Sequence, residues 1–251
     1  MSIALSNVGS VESLYQQGNY AEAAATARAL LSANSNDCRL WTLCGLSSYH
    51  LRDFFLAKLA LERAGHLLPL AADEQCALAE CYARTGQVER ARGMYLALAD
   101  DPDCPTRSLP TISAGLGRLH DHEAALNVCR LASEREPNSP EPLFGMTFYL
   151  RRLGYPARVA IPVMNKALDL ANGQLLYRVV LAFLLAEDHR NEEAYELICD
   201  VRTAEIACPC LLRRMMAVFQ AVGDHSRWRR CGMQLGRLRE CKSSLSNSID
   251  H

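Results

Sequence analysis

Small and apolar residues return along the chain at an interval of 34 residues. In the block Cys38 to Ala71, Leu40 and Trp41 are followed by Gly45, Ala57, Ala64 and Pro69. Block 72–105 repeats the scheme with Leu78, Ala79, Tyr82, Gly86, Ala91 and Tyr95, and block 106–139 continues it with His120-Asp121, Ala125, Ala132 and Pro137. Beyond Pro140 the scheme loosens. Block 140–174 carries Met146, Leu150, Gly154, Ala160 and Ala167 with one residue inserted, and 175–208 carries Leu181, Ala182, Leu185 and Ala194. The last block, 209–242, has Met215, Phe219 and Gly223, with Trp228 where an alanine is expected. Ahead of Cys38, Gly18-Asn19-Tyr20-Ala21-Glu22-Ala23 supplies the same turn for a first block, 4–37.

These residue types fit pairs of helices. Gly18, Gly86, Gly154 and Gly223 stand where a helix must stop and the chain reverse within two or three residues, which suits a residue that tolerates positive φ. The alanines let two helix backbones approach closely. Pro69 and Pro137 lack the N–H that would extend a helix. One pair buries too little surface to be stable, so the units must stack, with a polar cover at each end. Trp228, followed by arginines, fits such a cover. Trp41 and Leu78 are expected in the core. Pro140 and Pro142 open a helix at little cost, whereas Pro162 falls inside one and predicts a kink. Irregular segments, and a hinge, are expected near 100–112 and 155–165.

The landmarks resemble those of the tetratricopeptide repeat. The resemblance implies an all-α, right-handed superhelical solenoid of about seven antiparallel helix pairs, with units near 4–37, 38–71, 72–105, 106–139, 140–174, 175–208 and 209–242. A polar tail, 243–251, is expected to be disordered. It also implies that the first helix of each pair lines a concave groove through its second, fifth, sixth and ninth positions. On that register Arg39, Leu46, Phe144, Phe148, Val179 and Phe183 are the candidate groove residues. One branch of the family grips the C-terminal carboxylates of chaperones with lysine, asparagine and arginine at these positions. Here they hold Asp73, Cys76, Ala77 and Glu80, then Arg107, Pro110, Thr111 and Ala114, so that clamp is missing. The apolar C-terminal half of the groove suits an amphipathic helix or an extended segment, with Phe144, Phe148 and Phe183 as anchors. A register shift of one residue would instead turn these rings into the core.

Composition narrows the setting. The chain has 251 residues, 49% hydrophobic and 22% charged, with a formal net charge of −1. No apolar run is long enough to span a bilayer, and the start Met1-Ser-Ile-Ala-Leu-Ser-Asn lacks a signal peptide's basic and apolar regions, so a cytoplasmic protein is expected. Eleven cysteines, an odd number, lie mostly in apolar helical patterns, as at Cys44 and Cys129. They read as reduced thiols acting as small hydrophobes. Residues 1–210 hold 19 Lys+Arg against 25 Asp+Glu, and residues 211–251 hold 8 against 3. The basic end, with Arg227, Arg229 and Arg230 at its centre, suggests an alternative function, a regulatory module contacting nucleic acid or an acidic protein. Few aromatic residues stand there to stack bases, and the overall charge is not that of a dedicated nucleic-acid binder.

Candidate chemistry is sparse. His120-Asp121-His122-Glu123 and Cys208-Pro209-Cys210 contain metal-ligand residue types, but they lie nearly three units apart in an array whose distant units do not touch. They read instead as a turn with an acidic helix start and as the start of another helix. No Gly-rich phosphate loop, Gly-x-Ser-x-Gly elbow or His-Glu-x-x-His pair occurs. The sequence therefore points to a protein-binding scaffold or chaperone-like adaptor without catalysis, metal or cofactor. Its expected partner is a protein or peptide segment, not a membrane or nucleic acid, and self-association through the solenoid ends stays open.

Overall fold

A computed structural model describes residues 2–247, with side chains described for residues 8–240. The described residues form fourteen α-helices and no strand. In chain order these are α1 (Ser2–Gln16), α2 (Tyr20–Ala33), α3 (Cys38–His50), α4 (Phe54–Leu67), α5 (Ala72–Arg84), α6 (Val88–Asp100) and α7 (Leu109–Arg118). They continue with α8 (His122–Arg135), α9 (Pro140–Arg152), α10 (Ala157–Leu170), α11 (Leu175–Glu187), α12 (Asn191–Glu196), α13 (Pro209–Ala221) and α14 (His225–Asn247). Two compact units divide the chain, Met1–Val128 and Cys129–His251. Among the described residues no helix is long and apolar enough to cross a membrane.

One backbone device recurs throughout. Gly18, Gly86, Gly154 and Gly223 have φ of +80°, +83°, +82° and +77°, and the equivalent Arg52, His120 and His189 each have φ of +63°. After each left-handed residue the next N–H reaches back to a carbonyl five residues earlier: Asn19 to Leu14, Asp53 to Ser48, Gln87 to Tyr82, Asp121 to Leu116, Tyr155 to Leu150, Arg190 to Leu185 and Asp224 to Phe219, at 2.8–3.1 Å. This closure satisfies carbonyls left over at a helix C-terminus, and the second helix starts within three residues. At Arg52 and His120, where the turn has no glycine, the following aspartate caps the next helix. The Asp53 carboxylate accepts from Leu56 N–H at 3.1 Å, and that of Asp121 from Ala124 N–H at 3.2 Å.

Five residues beyond the left-handed position, Ala23, Ala57, Ala91, Ala125 and Ala194 are completely buried. In the fifth pair the equivalent buried residue is Ala160, six beyond Gly154, so the inserted residue lies in the turn around Tyr155-Pro156. Trp228 occupies this column in the last pair and stays partly exposed. α10 continues through Pro162, which sits on its exposed side. The segment 101–108 is irregular, with a 3-10 turn at Thr106–Ser108 and α7 reduced to 10 residues.

In the first unit, Val11, Ala23, Ala27, Leu31, Leu40, Leu43, Cys44 and Ala60 form one core cluster, while Leu61, Ala77, Leu78, Tyr82 and Ala91 form another. Leu78 is buried, and Trp41 packs against the first cluster only partly buried, its indole N–H donating to the Ser35 carbonyl at 2.8 Å. Cysteines at 44, 76, 81, 104, 129 and 231 are buried thiols in the places of small aliphatic residues. Burial pushes the Cys76 and Cys81 thiols up to about 12.

The block 175–208 departs from the expected helix pair. Its second helix, α12, ends after 6 residues. The run Ile198, Val201 and Thr203 is β-branched, which disfavours helix continuation, and Ile198, Thr203 and Ile206 are buried in an irregular path instead. Arg178 of α11 supports the break by donating to the Leu197 carbonyl at 2.8 Å and pairing with Asp200. The Gln234 amide donates to the Ala204 and Ile206 carbonyls at 3.0 and 3.2 Å. α13 packs directly on α11. The polar tail expected over 243–251 begins within α14, whose backbone runs to Asn247; residues 248–251 lie outside the described residues.

Three glycines separate close approach from conformational freedom. A Cβ on Gly45 would stand 2.7 Å from Leu61 Cγ, and one on Gly115 would stand 2.3 Å from Cζ of the buried Tyr95, whereas Gly93, within α6, has nothing within 4 Å. Gly45→Ala and Gly115→Ala should each lower stability by about 1–3 kcal/mol through overpacking. Gly93→Ala should raise it by about 0.5–1 kcal/mol, because alanine loses less entropy in a helix. Urea unfolding of the three variants gives the signs directly.

Candidate binding clefts

The second unit contains a cleft of about 230 Å³ lined by Phe144, Thr147, Phe148, Arg151 and Arg152 of α9, Val180, Phe183, Leu184 and Glu187 of α11, and Arg214 of α13. Three of the candidate groove residues, Phe144, Phe148 and Phe183, thus meet in one place. Phe148 is 42% exposed, and Phe144 and Phe183 are half-buried. The rings are held by local packing. Phe144 meets Tyr177 edge-on at 5.6 Å, and Phe148 meets Tyr149 edge-on at 5.1 Å.

One groove candidate, Val179, is corrected. It is completely buried, while Val180, the sixth position on the same register, lines the cleft together with Phe183. One residue along a helix is a rotation of roughly 100°, so the two side chains leave α11 on different sides.

Arginines frame the apolar floor. Arg152 lies over the Phe148 ring at 5.3 Å and Arg214 over the Phe183 ring at 5.9 Å. Arg151 forms an ion pair with Glu187 at 3.1 Å and also donates to the Tyr155 carbonyl. The sequence reading did not select these three. Arg152 was within reach, being four residues after Phe148 and so on the same helix face. Arg214 was not, because a tertiary contact brings it there.

The remaining groove candidates lie in the first unit. Leu46 lines a cleft of about 270 Å³ with Tyr15, Tyr49, His50, Asp73, Glu74, Cys76, Ala77, Glu80, Tyr95, Thr111 and Arg118. Arg39 is exposed outside it, paired with Glu12. This cleft is more polar than that of the second unit, and its main charges are paired within the chain. Glu80, 6% exposed, accepts from Arg84 at 2.8 Å and from two nitrogens of Arg118 at 3.1 and 2.7 Å. The Tyr95 hydroxyl lies 3.5 Å from the same carboxylate. Burial alone would raise the Glu80 pKa, but hydrogen bonds from Arg84 and Arg118 outweigh it and hold the carboxyl below its ordinary value. Asp73 pairs with Arg107 at 3.5 Å and accepts from the Ser108 hydroxyl at 2.7 Å. At the cleft's edge the Tyr15 hydroxyl is 3.1 Å from His50 Nε2, and Tyr20 stacks on the His50 ring at 4.2 Å.

The basic end divides on inspection. Arg227 is partly buried and donates to the Asp224 carboxylate and the Tyr195 hydroxyl, both at 2.8 Å. Asp224 also accepts from the Arg227 backbone N–H at 3.0 Å, capping α14. That backbone bond, followed by the guanidinium, lowers the Asp224 pKa to about 2. Arg227 is therefore a structural cation and is withdrawn from the proposed patch, leaving the exposed Arg229 and Arg230. His120 occupies the left-handed turn before α8, and Cys208 and Pro209 open α13. Among the described residues no group of three or more His, Cys, Asp or Glu could hold a metal ion.

Glu80→Ala should cost about 1–2 kcal/mol, because it removes charge-assisted hydrogen bonds to two guanidinium groups that solvent still reaches. A depressed carboxyl stabilises the fold above its unfolded pKa of about 4.3, and the contribution is lost as pH falls through the lower folded value. Urea midpoints measured from pH 6 to pH 3 should therefore fall more steeply for the wild type than for the variant. Arg227→Ala should destabilise by about 1 kcal/mol, while Arg229→Ala should change stability by no more than about 0.5 kcal/mol. Thermal denaturation separates the two.

No protein-family model and no curated protein sequence matches the chain. Solved structures do. A tetratricopeptide repeat protein from Parabacteroides merdae aligns with a TM-score of 0.71 at 14% identity, covering 96% of this chain and 93% of that one. The C-terminal part of a tetratricopeptide repeat-containing protein from Cytophaga hutchinsonii aligns with a TM-score of 0.68 at 14% identity, covering 92% and 95%. PilW, a type IV pilus biogenesis factor, aligns with a TM-score of 0.61 at 12% identity, covering 78% and 91%. Taken with the recurring turns and the buried alanine column, these likenesses establish that the chain has the tetratricopeptide-repeat fold.

Proposed function

We propose that this protein is an interaction scaffold or chaperone-like adaptor that receives a helical or extended segment of another protein in the cleft of its second unit. The convergence of Phe144, Phe148 and Phe183 carries the reading. Partly exposed aromatic side chains around a concavity supply large apolar area at low entropic cost and are typical binding anchors. A 230 Å³ cleft accommodates one or two partner side chains, as when apolar anchors of an amphipathic helix enter a groove. Buried thiols in place of aliphatic residues fit a reducing compartment, so we assign it to the cytoplasm. The internal pairing of Arg227 weighs against a reading in which the basic end is the primary contact surface.

Affinity capture from the source lysate, with mass spectrometry, tests this. The comparison is between the wild type and a Phe148→Glu, Phe183→Glu variant shown by circular dichroism to be folded. Capture of a protein partner should fall by roughly thirtyfold or more, the effect of losing an interface hot spot. Unchanged capture would remove the cleft from the interaction.

A further inference from the structure

The two clefts handle charge in opposite ways. In the first unit, Glu80 meets Arg84 and Arg118, and Asp73 meets Arg107. In the second, Arg151 meets Glu187, but among the described residues no carboxylate forms an ion pair with Arg152 or Arg214. Both instead lie over phenylalanine rings of the cleft, on its α9 and α13 sides.

A guanidinium stacked on an aromatic ring has one face against the ring, while the N–H donors around its edge stay free. The stacking also restrains a long side chain, so less entropy is lost when the edge binds a carboxylate through two parallel hydrogen bonds. The cleft therefore presents an apolar floor with two guanidinium groups on its walls that lie near phenylalanine rings and form no ion pair among the described residues, and its lining carries three arginines against one glutamate. Nucleic acid suits it less well, since arginine already occupies a face of each ring that a base would stack on.

We propose that this cleft selects an acidic amphipathic segment, one whose apolar anchors are flanked by aspartate or glutamate, and that Arg152 and Arg214 read those carboxylates. The inference rests on the cleft being the binding site.

The test is selection of random 16-residue peptides displayed on phage against the full chain. The wild type is compared with three folded variants: Phe148→Ala with Phe183→Ala, Arg152→Gln with Arg214→Gln, and Arg152→Glu with Arg214→Glu. The wild type should enrich peptides in which Asp or Glu stands within one helical turn of Leu, Phe or Met. For one such peptide, affinity should drop about three- to tenfold for each arginine replaced by glutamine and weaken when salt is raised. The double glutamate variant should enrich Lys- and Arg-bearing peptides instead.

Apolar peptides without acidic enrichment, or the same acidic bias in the glutamate variant, would overturn the arginine assignment while leaving the cleft in place. Enrichment that survives the Phe148→Ala, Phe183→Ala change, or no enrichment at all, would overturn the cleft reading and the charge inference with it. Displacement of a bound peptide by a dodecamer of thymidylate would overturn the proposed ligand class.

Discussion

The left-handed turn between paired helices is the constraint on which the rest of the fold depends. It reverses the chain within two or three residues and closes carbonyls at the end of the first helix. It then starts the second helix so that, in every pair but the last, an alanine is completely buried five residues later, or six where the chain carries an extra residue. An L-residue in this conformation costs roughly 1–2 kcal/mol, and Arg52, His120 and His189 adopt it without glycine's freedom. The cost persists because neighbours hold the turn in place: aspartate caps after Arg52 and His120, and an Arg190–Glu193 ion pair after His189.

Because turn and alanine column carry the architecture, the cleft-lining positions of the first helices are free to differ between units. The first unit fills them with tyrosines and a carboxylate–arginine network around Glu80, which is neutralised internally and ties α5 to α7. The second fills them with phenylalanines and arginines. The same backbone plan thus gives one cleft whose principal charges are satisfied by the chain itself and another in which Arg152 and Arg214 form no ion pair among the described residues.

The broken pair 191–208 links fold irregularity to the candidate site. α12 ends after Glu196, and Arg178 and Gln234 bond the irregular segment that follows it. α13 packs on α11 more extensively than the corresponding helices of the first unit pack on one another, and its Arg214 lies over Phe183. Val179 is completely buried, while Val180 lines the cleft.

By itself the amino-acid sequence determined the helical pairs, their turns and the glycine and alanine columns, because these follow from local φ preference and from side-chain size at a fixed period. It also brought out Phe144, Phe148 and Phe183 through their shared helix faces. What it did not carry was the burial of Val179, the arrival of Arg214 over Phe183 and the bond from Arg227 to the Tyr195 hydroxyl. Those depend on how far one helix sits from the next. That distance is decided by the packing of side chains from separate units of sequence, which no local periodicity encodes.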